Sequence, residues 1–159
     1  MHTIDTMKDI VNLRIHIAPV GFEIDRIIIP AVRMKADKVW LIAHENVADD
    51  KANKYRQKIE KELEEKGIKT EIAYANRLLL FPIIKAVTGI IFKERKNDIY
   101  VNVATGSKIH AIGCMMACML FDDREKIHPF YAQAEKYPEY EGSKQQTYEI
   151  GRASCRERV

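Results

Sequence analysis

Apolar and polar positions along this chain keep changing period, and the changes divide it into alternating elements. Short apolar or alternating runs at Leu13–Val20, Lys38–His44, Ile68–Tyr74, Asp98–Val103 and Ile127–Ala132 predict strands. Between them, longer stretches with helical spacing predict helices over Glu23–Lys35, Asp49–Lys66, Leu78–Arg95 and Ser107–Phe121. In the second of these, Tyr55, Ile59 and Leu63 recur every fourth residue and mark a buried stripe. The Lys and Glu residues around the stripe predict a solvated face, and Gly67 closes the helix.

Strict alternation of strand and helix predicts an α/β fold: a doubly wound, mainly parallel Rossmann-like sheet with helices on both faces. Each crossover helix needs a sheet face on which to bury its apolar stripe. In such sheets ligands sit beyond the carboxyl ends of the strands. The loops expected to matter are therefore Pro19–Glu23, Ala43–Val47 and Ala104–Lys108.

At 159 residues the chain has the size of one core. Residues 1–11 read as a flexible amino-terminal extension, 12–140 as the Rossmann-like domain and 141–159 as a tail. The last nine residues, "GRASCRERV", have no apolar period and read as a non-native cloning appendage, so the natural protein is expected to continue past Ile150. A net charge of +3, from 26 basic and 23 acidic residues spread along the chain, gives little reason to expect duplex nucleic acid. It is compatible with a small anion. Three cysteines without a disulfide pattern fit a reducing compartment, and the absence of an apolar signal segment or span completes the expectation of a cytoplasmic protein away from membranes.

The chemistry concentrates in "VNVATGSK", where the fourth strand meets the fourth helix. A helix start leaves backbone N–H groups unpaired and attracts anions. Gly106 permits close backbone approach, Thr105 and Ser107 offer hydroxyls for capping or for a ligand, Lys108 offers a cation, and Asn102 places an amide near the strand exit. Neither GxGxxG nor GxxxxGK[ST] occurs, which disfavours dinucleotide dehydrogenases and P-loop NTPases.

The run Asn102-Val103-Ala104-Thr105-Gly106-Ser107-Lys108 resembles the N-x-T-G-G-T-K signature of CARF domains, the CRISPR-associated Rossmann fold. Ala104 stands where the family usually has a hydroxyl, and Thr105 where it has the first glycine. "RIHIAPVGFEIDRIIIPAV" with "KADKVWLIAH" is still more similar to a group of chiefly archaeal transcriptional regulators, whose CARF-like amino-terminal domain precedes a winged helix-turn-helix. The resemblance implies a homodimer with a cyclic oligoadenylate across its two-fold axis. It implies ligand contacts from Pro19, Val20, Gly21 and Phe22 in the first loop and from Thr105, Gly106, Ser107 and Lys108 in the second. It also implies that DNA is reached only through a winged-helix domain absent here. No cofactor and no metal is expected.

Other residues invite weaker readings. His44 ends the second strand at the ligand edge and is a candidate contact. His16 reads as a buried imidazole hydrogen-bonded to backbone, and Asp25 with Arg26 as a local ion pair or a brace for the first loop. Tyr131, Tyr137 and Tyr140 read as core-closing aromatics. His110, Cys114 and Cys118 share a helix face, but the outer two Cα atoms are ~12 Å apart, too far to hold one zinc ion. They read as core groups. The favoured function is a nucleotide sensor, because no carboxylate or histidine falls inside the 104–108 loop. The alternative is a metal-independent ring nuclease in which a ribose 2′-OH attacks the next phosphate with Ser107 and Lys108 assisting. A phosphometabolite enzyme using His44 and Glu45 ranks last.

Overall fold

In the computed structural model, residues 12–134 and 148–152 are described. The elements are β1 (Arg14–Pro19), α1 (Asp25–Arg33), β2 (Lys38–His44), a short 3₁₀ turn (Val47–Asp49), α2 (Asn53–Glu65), β3 (Lys69–Ala75), α3 (Leu80–Lys93), β4 (Asp98–Asn102), α4 (Lys108–Met119), β5 (Ile127–Ala134) and β6 (Tyr148–Arg152). The sheet order is β3-β2-β1-β4-β5-β6. Neighbours from β3 to β5 are parallel, and β6 runs antiparallel to β5. The expected α/β, doubly wound, mainly parallel architecture is what the chain adopts.

Side-chain alternation divides the core into two layers. Ile15 and Ile17 of β1 pack with Ile83, Val87 and Ile91 of α3 and with Cys114 and Ala117 of α4. Ala18, Val39 and Leu41 point to the other face, against Ile27, Ile28 and Ala31 of α1 and Ile59 and Leu63 of α2. Helices following β1 and β2 thus cover one face, and those following β3 and β4 the other. That change of side falls between β1 and β4, so the two strands' outgoing loops part there and leave a crevice. Cys114 and Cys118 are buried in the first layer as expected; burial drives the Cys114 thiol up strongly and Cys118 to about 12.

Two features escape the sequence reading. The region after Ala132 carries no strand signal, yet Tyr148–Arg152 pairs along β5, with Ile150 opposite Ala132 and Arg152 opposite Phe130. Its last two residues are the first two of the segment read as an appendage. The second feature is His16, which is buried as expected but whose Nε2 finds no partner among the described residues. It lies instead between the rings of Tyr100 and Phe130, at 5.4 and 5.3 Å. The register sets His16 beside Tyr100, so its lateral neighbour on that face is aromatic rather than polar. Tyr131, expected to close the core, is instead exposed, and Tyr137 and Tyr140 lie outside the described residues. No described helix is long and apolar enough to cross a membrane.

Burial, reinforced by the Arg14 charge, pushes His16 down from the ordinary 6.5 to about 4. The unfolded chain therefore takes up a proton near pH 6.5 that the folded chain refuses until about pH 4. Stability is full above that window and is lost as pH falls through it, by on the order of 2 to 3 kcal/mol for this side chain. Urea unfolding at pH 7.5 and 4.5 is expected to show a smaller acid loss in His16→Leu than in the parent chain; equal losses would remove His16 from the acid response.

Candidate functional site

The asparagine inside β4 explains how the site is held. Pro30 lies within α1 and has no N–H, which leaves the Arg26 carbonyl four residues earlier without its helical donor. Asn102 Nδ2 donates to that carbonyl at 3.0 Å, and Asn102 Oδ1 accepts from the Ala104 N–H at 2.9 Å. The side chain is buried and both ends of its amide are spent within the chain. It therefore fixes the exit of β4 against α1 and does not line the cavity. Arg26 strengthens the same junction, with Nη1 donating to the Ala104 carbonyl at 3.3 Å and Nε 2.7 Å from Glu23. The brace expected of Asp25 and Arg26 is thus made by Arg26, with Glu23 as its ionic partner.

Beyond Ala104 the chain turns at Gly106, whose φ of +75° suits glycine. A Cβ there would lie 2.7 Å from His110 Nδ1 and 2.9 Å from Pro19 Cβ. The turns after β1 and β4 also touch each other, since a Cβ on Gly21 would sit 3.2 Å from the Gly106 backbone. Pro19 is consequently a packing surface for the turn rather than part of the cavity wall. Thr105 is buried behind the turn, and its Oγ1 has no partner among the described residues.

Ser107 caps α4, with Oγ accepting from the His110 N–H at 3.4 Å while His110 Nδ1 accepts from the Ser107 N–H at 3.0 Å. The reciprocal cap consumes two of the donors that the helix start offers. The N–H groups of Lys108 and Ile109 have no acceptor among the described residues. Burial holds His110 down at about 4, with Arg77 pushing the same way and Asp50 opposing it. At neutral pH it is uncharged, and since Nδ1 accepts, Nε2 carries the proton. His44 is arranged alike: its Nδ1 accepts from the Arg77 N–H at 3.2 Å.

These elements surround a cavity of about 500 Å³ at the carboxyl ends of the strands. Of the residues expected at a site, Val20, Gly21, Phe22, His44, Gly106, Ser107 and Lys108 line it; Pro19, Asn102 and Thr105 support it from behind. Asp50, Arg77 and His110 also line it and were not foreseen as site residues. The Ser107-x-x-His110 spacing is a capping-box signal that could have revealed His110. Nothing local marks Arg77, which follows β3 and reaches the cavity because α3 and α4 share a face. Its Nε is buried without a partner among the described residues. The cavity wall thus combines cations at Arg77 and Lys108, two histidine N–H donors and free helix amides, an arrangement that suits a phosphate-bearing ligand.

The family model "HFX_2341_N:-like, N-terminal" matches residues 14–137. The uncharacterized protein MJ1513 of Methanocaldococcus jannaschii is 37% identical over 128 residues, which span 77% of this chain and 38% of that relative. Among solved structures, Can2 from Sulfobacillus thermosulfidooxidans in complex with cyclic tetra-adenylate superposes with a TM-score of 0.62 at 15% identity, over 77% of this chain and 32% of that one. A type III CRISPR defence DNA nuclease activated by cyclic oligoadenylate gives 0.61 at 14% identity, over 76% and 19%. Enterococcus italicus Csm6 bound to cyclic hexa-2′-fluoro-hexa-dAMP gives 0.60 at 12% identity, over 82% and 36%. The likeness is one of fold: the chain shares the Rossmann-like α/β fold of these proteins.

Truncating the clamp should be costly. Asn102→Ala leaves two backbone groups unpaired and is expected to lower stability by about 2 to 4 kcal/mol in urea unfolding. Adding Pro30→Ala gives the Arg26 carbonyl its helical donor back, so the double variant should recover about 1 kcal/mol relative to additivity. Strictly additive losses would mean that the two residues do not share that carbonyl.

Proposed function

The chain belongs to the HFX_2341_N:-like, N-terminal family, and from that premise we propose that it is the ligand-sensing domain of a regulator, binding a cyclic oligoadenylate between two copies of itself. The observation that carries this reading is the cavity at the β1/β4 crevice, where Lys108, Arg77 and two unpaired amides converge. Its volume of about 500 Å³ is that of a pocket for one small ligand, enough for a portion of a nucleotide ring. A whole ring then calls for a second protomer.

The surface beside the cavity supports such pairing. Leu78 lines the cavity and is 68% exposed, next to Leu79 and to Phe81 at 77%. Ile112, Met116 and Met119 continue exposed apolar surface along α4, away from the cavity-lining Ile109. Apolar surface of this extent is uncommon on a monomer and fits a two-fold contact that closes the cleft. Coverage of only 38% of the curated relative supports a longer protein, in which residues 12–140 sense and a carboxyl-terminal winged helix contacts DNA. Ser107 is engaged in the helix cap, which favours a sensor over a nuclease in which that hydroxyl would assist.

Calorimetric titration with cyclic tetra- and hexa-adenylate is expected to show binding that weakens by about 1.5 to 3 kcal/mol in Lys108→Ala and in Arg77→Ala. Unchanged affinity in both variants, or no binding of either ring, would overturn the site. Chromatography of the incubated complex is expected to return intact ring; rapid conversion to linear product would transfer the assignment to a ring nuclease. Sedimentation should give a dimer that Met116→Glu dissociates, and a parent chain that sediments as a monomer with ligand bound would rule out the shared cleft.

A further inference from the structure

The cavity has one lining group of the opposite sign. Asp50 sits just before α2, and its Oδ1 accepts from the Ala52 N–H at 3.0 Å. Its other carboxylate oxygen has no partner among the described residues, although the side chain lines the cavity. Every other charged or titratable group on that wall is a cation or an imidazole whose Nδ1 is already accepting a backbone N–H. A ligand made of acceptors alone, such as an inorganic polyphosphate, is repelled at Asp50. A ligand with phosphate at one end and a hydrogen-bond donor at the other matches both signs.

Beside Asp50 lies an aromatic surface. Phe22, from the turn after β1, lines the cavity and is 59% exposed. It is held edge-on against Tyr55 of α2, with ring centroids 5.5 Å apart and planes at 81°. Tyr55 lies in the first turn of the helix that Asp50 precedes, so Phe22 and Asp50 stand against the same helix end. An anchored ring with an open face next to one unspent acceptor is the chemistry of base recognition, stacking plus acceptance from an exocyclic amine. A ribose lacks the π face that would use Phe22.

Resting on the nucleotide reading above, we infer that Phe22 and Asp50 form a base subsite selecting an amine-bearing purine, with Phe22 stacking on the ring and Asp50 accepting from its amino group. Because Oδ1 is committed to Ala52, a single oxygen faces the ligand, which suits one amine better than the two adjacent donors of guanine.

The test compares AMP with purine riboside 5′-monophosphate, which differs only by lacking the amine, with GMP as a third ligand. Calorimetry on the parent chain should show AMP bound about tenfold more tightly than either competitor. Asp50→Ala and Asp50→Asn should both abolish the preference for the amine. Asp50→Asn can keep the bond to Ala52, so loss there is not a folding effect. Phe22→Ala should weaken AMP and the amine-free nucleotide equally, by about tenfold. Equal binding of the two purines by the parent chain, a preference that survives in both Asp50 variants, or no measurable AMP binding would overturn the inference. Cyclic tetra-adenylate titrated in parallel separates the two readings. A ring that binds while the amine makes no difference removes the base subsite alone, and an AMP preference without ring binding removes the second-messenger reading alone.

Discussion

A single side-chain amide determines where the cavity-bearing edge of this molecule forms, because it joins the exit of β4 to α1 through a carbonyl that the helix itself cannot satisfy. Asn102 can do this because Pro30 has removed a helical donor, leaving Arg26 with an open acceptor in a buried place. An unpaired carbonyl there would cost about 1 to 3 kcal/mol, so the proline and the asparagine are energetically one feature. Between Ala104, held by Asn102, and the Ser107 cap only Thr105 and Gly106 remain in which to turn. Gly106 makes the turn by taking a left-handed φ between the His110 ring and Pro19.

The cap that follows both limits and shapes the electrostatics of the cavity. Ser107 and His110 satisfy each other, which removes two donors from the helix start and leaves those of Lys108 and Ile109. His110 stays neutral because burial outweighs the favourable charge of Asp50, and Arg77 adds to the penalty on protonation. A charged imidazole could not accept the Ser107 N–H, since its Nδ1 would then be a donor. The low proton affinity and the cap are two aspects of one arrangement. Positive charge at the cavity comes instead from Arg77, in the loop after β3, and Lys108, at the start of α4, brought together because α3 and α4 cover the same face of the sheet.

Architecture supplies the rest. A parallel sheet that sends its first two helices to one face and its next two to the other opens a crevice between β1 and β4, and the turns after those strands meet at Gly21 and Gly106. On the far layer, α3 and α4 bury Ile83, Val87, Cys114 and Ala117 while presenting Phe81, Ile112, Met116 and Met119 outward. Helices apolar on both sides are costly on an isolated protomer. Their outer surface runs up to the cavity through Leu78, which links recognition of a ligand to recognition of a second copy in the proposal made here.

Strand and helix placement was legible in the chain because parallel strands and amphipathic helices each impose a local period, and Tyr55, Ile59 and Leu63 or the apolar run of β2 show it directly. Gly106, Ser107 and Lys108 were legible too, since a strand-to-helix turn constrains residue type over a few positions. Other features depend on contacts between residues distant in sequence, which no local period encodes. Asn102 reads as a ligand-side amide until Arg26 is seen 76 residues away; nothing local distinguishes Arg77 and Asp50, which reach the cavity only because α3, α4 and the start of α2 converge; and β6 is too short and polar to announce its pairing with β5. The sequence by itself determined the elements and the phosphate-suited turn, because those follow from local backbone chemistry. Only the tertiary structure decided which polar groups are spent inside the chain and which remain for a ligand, because hydrogen-bond satisfaction is settled by partners that folding brings together.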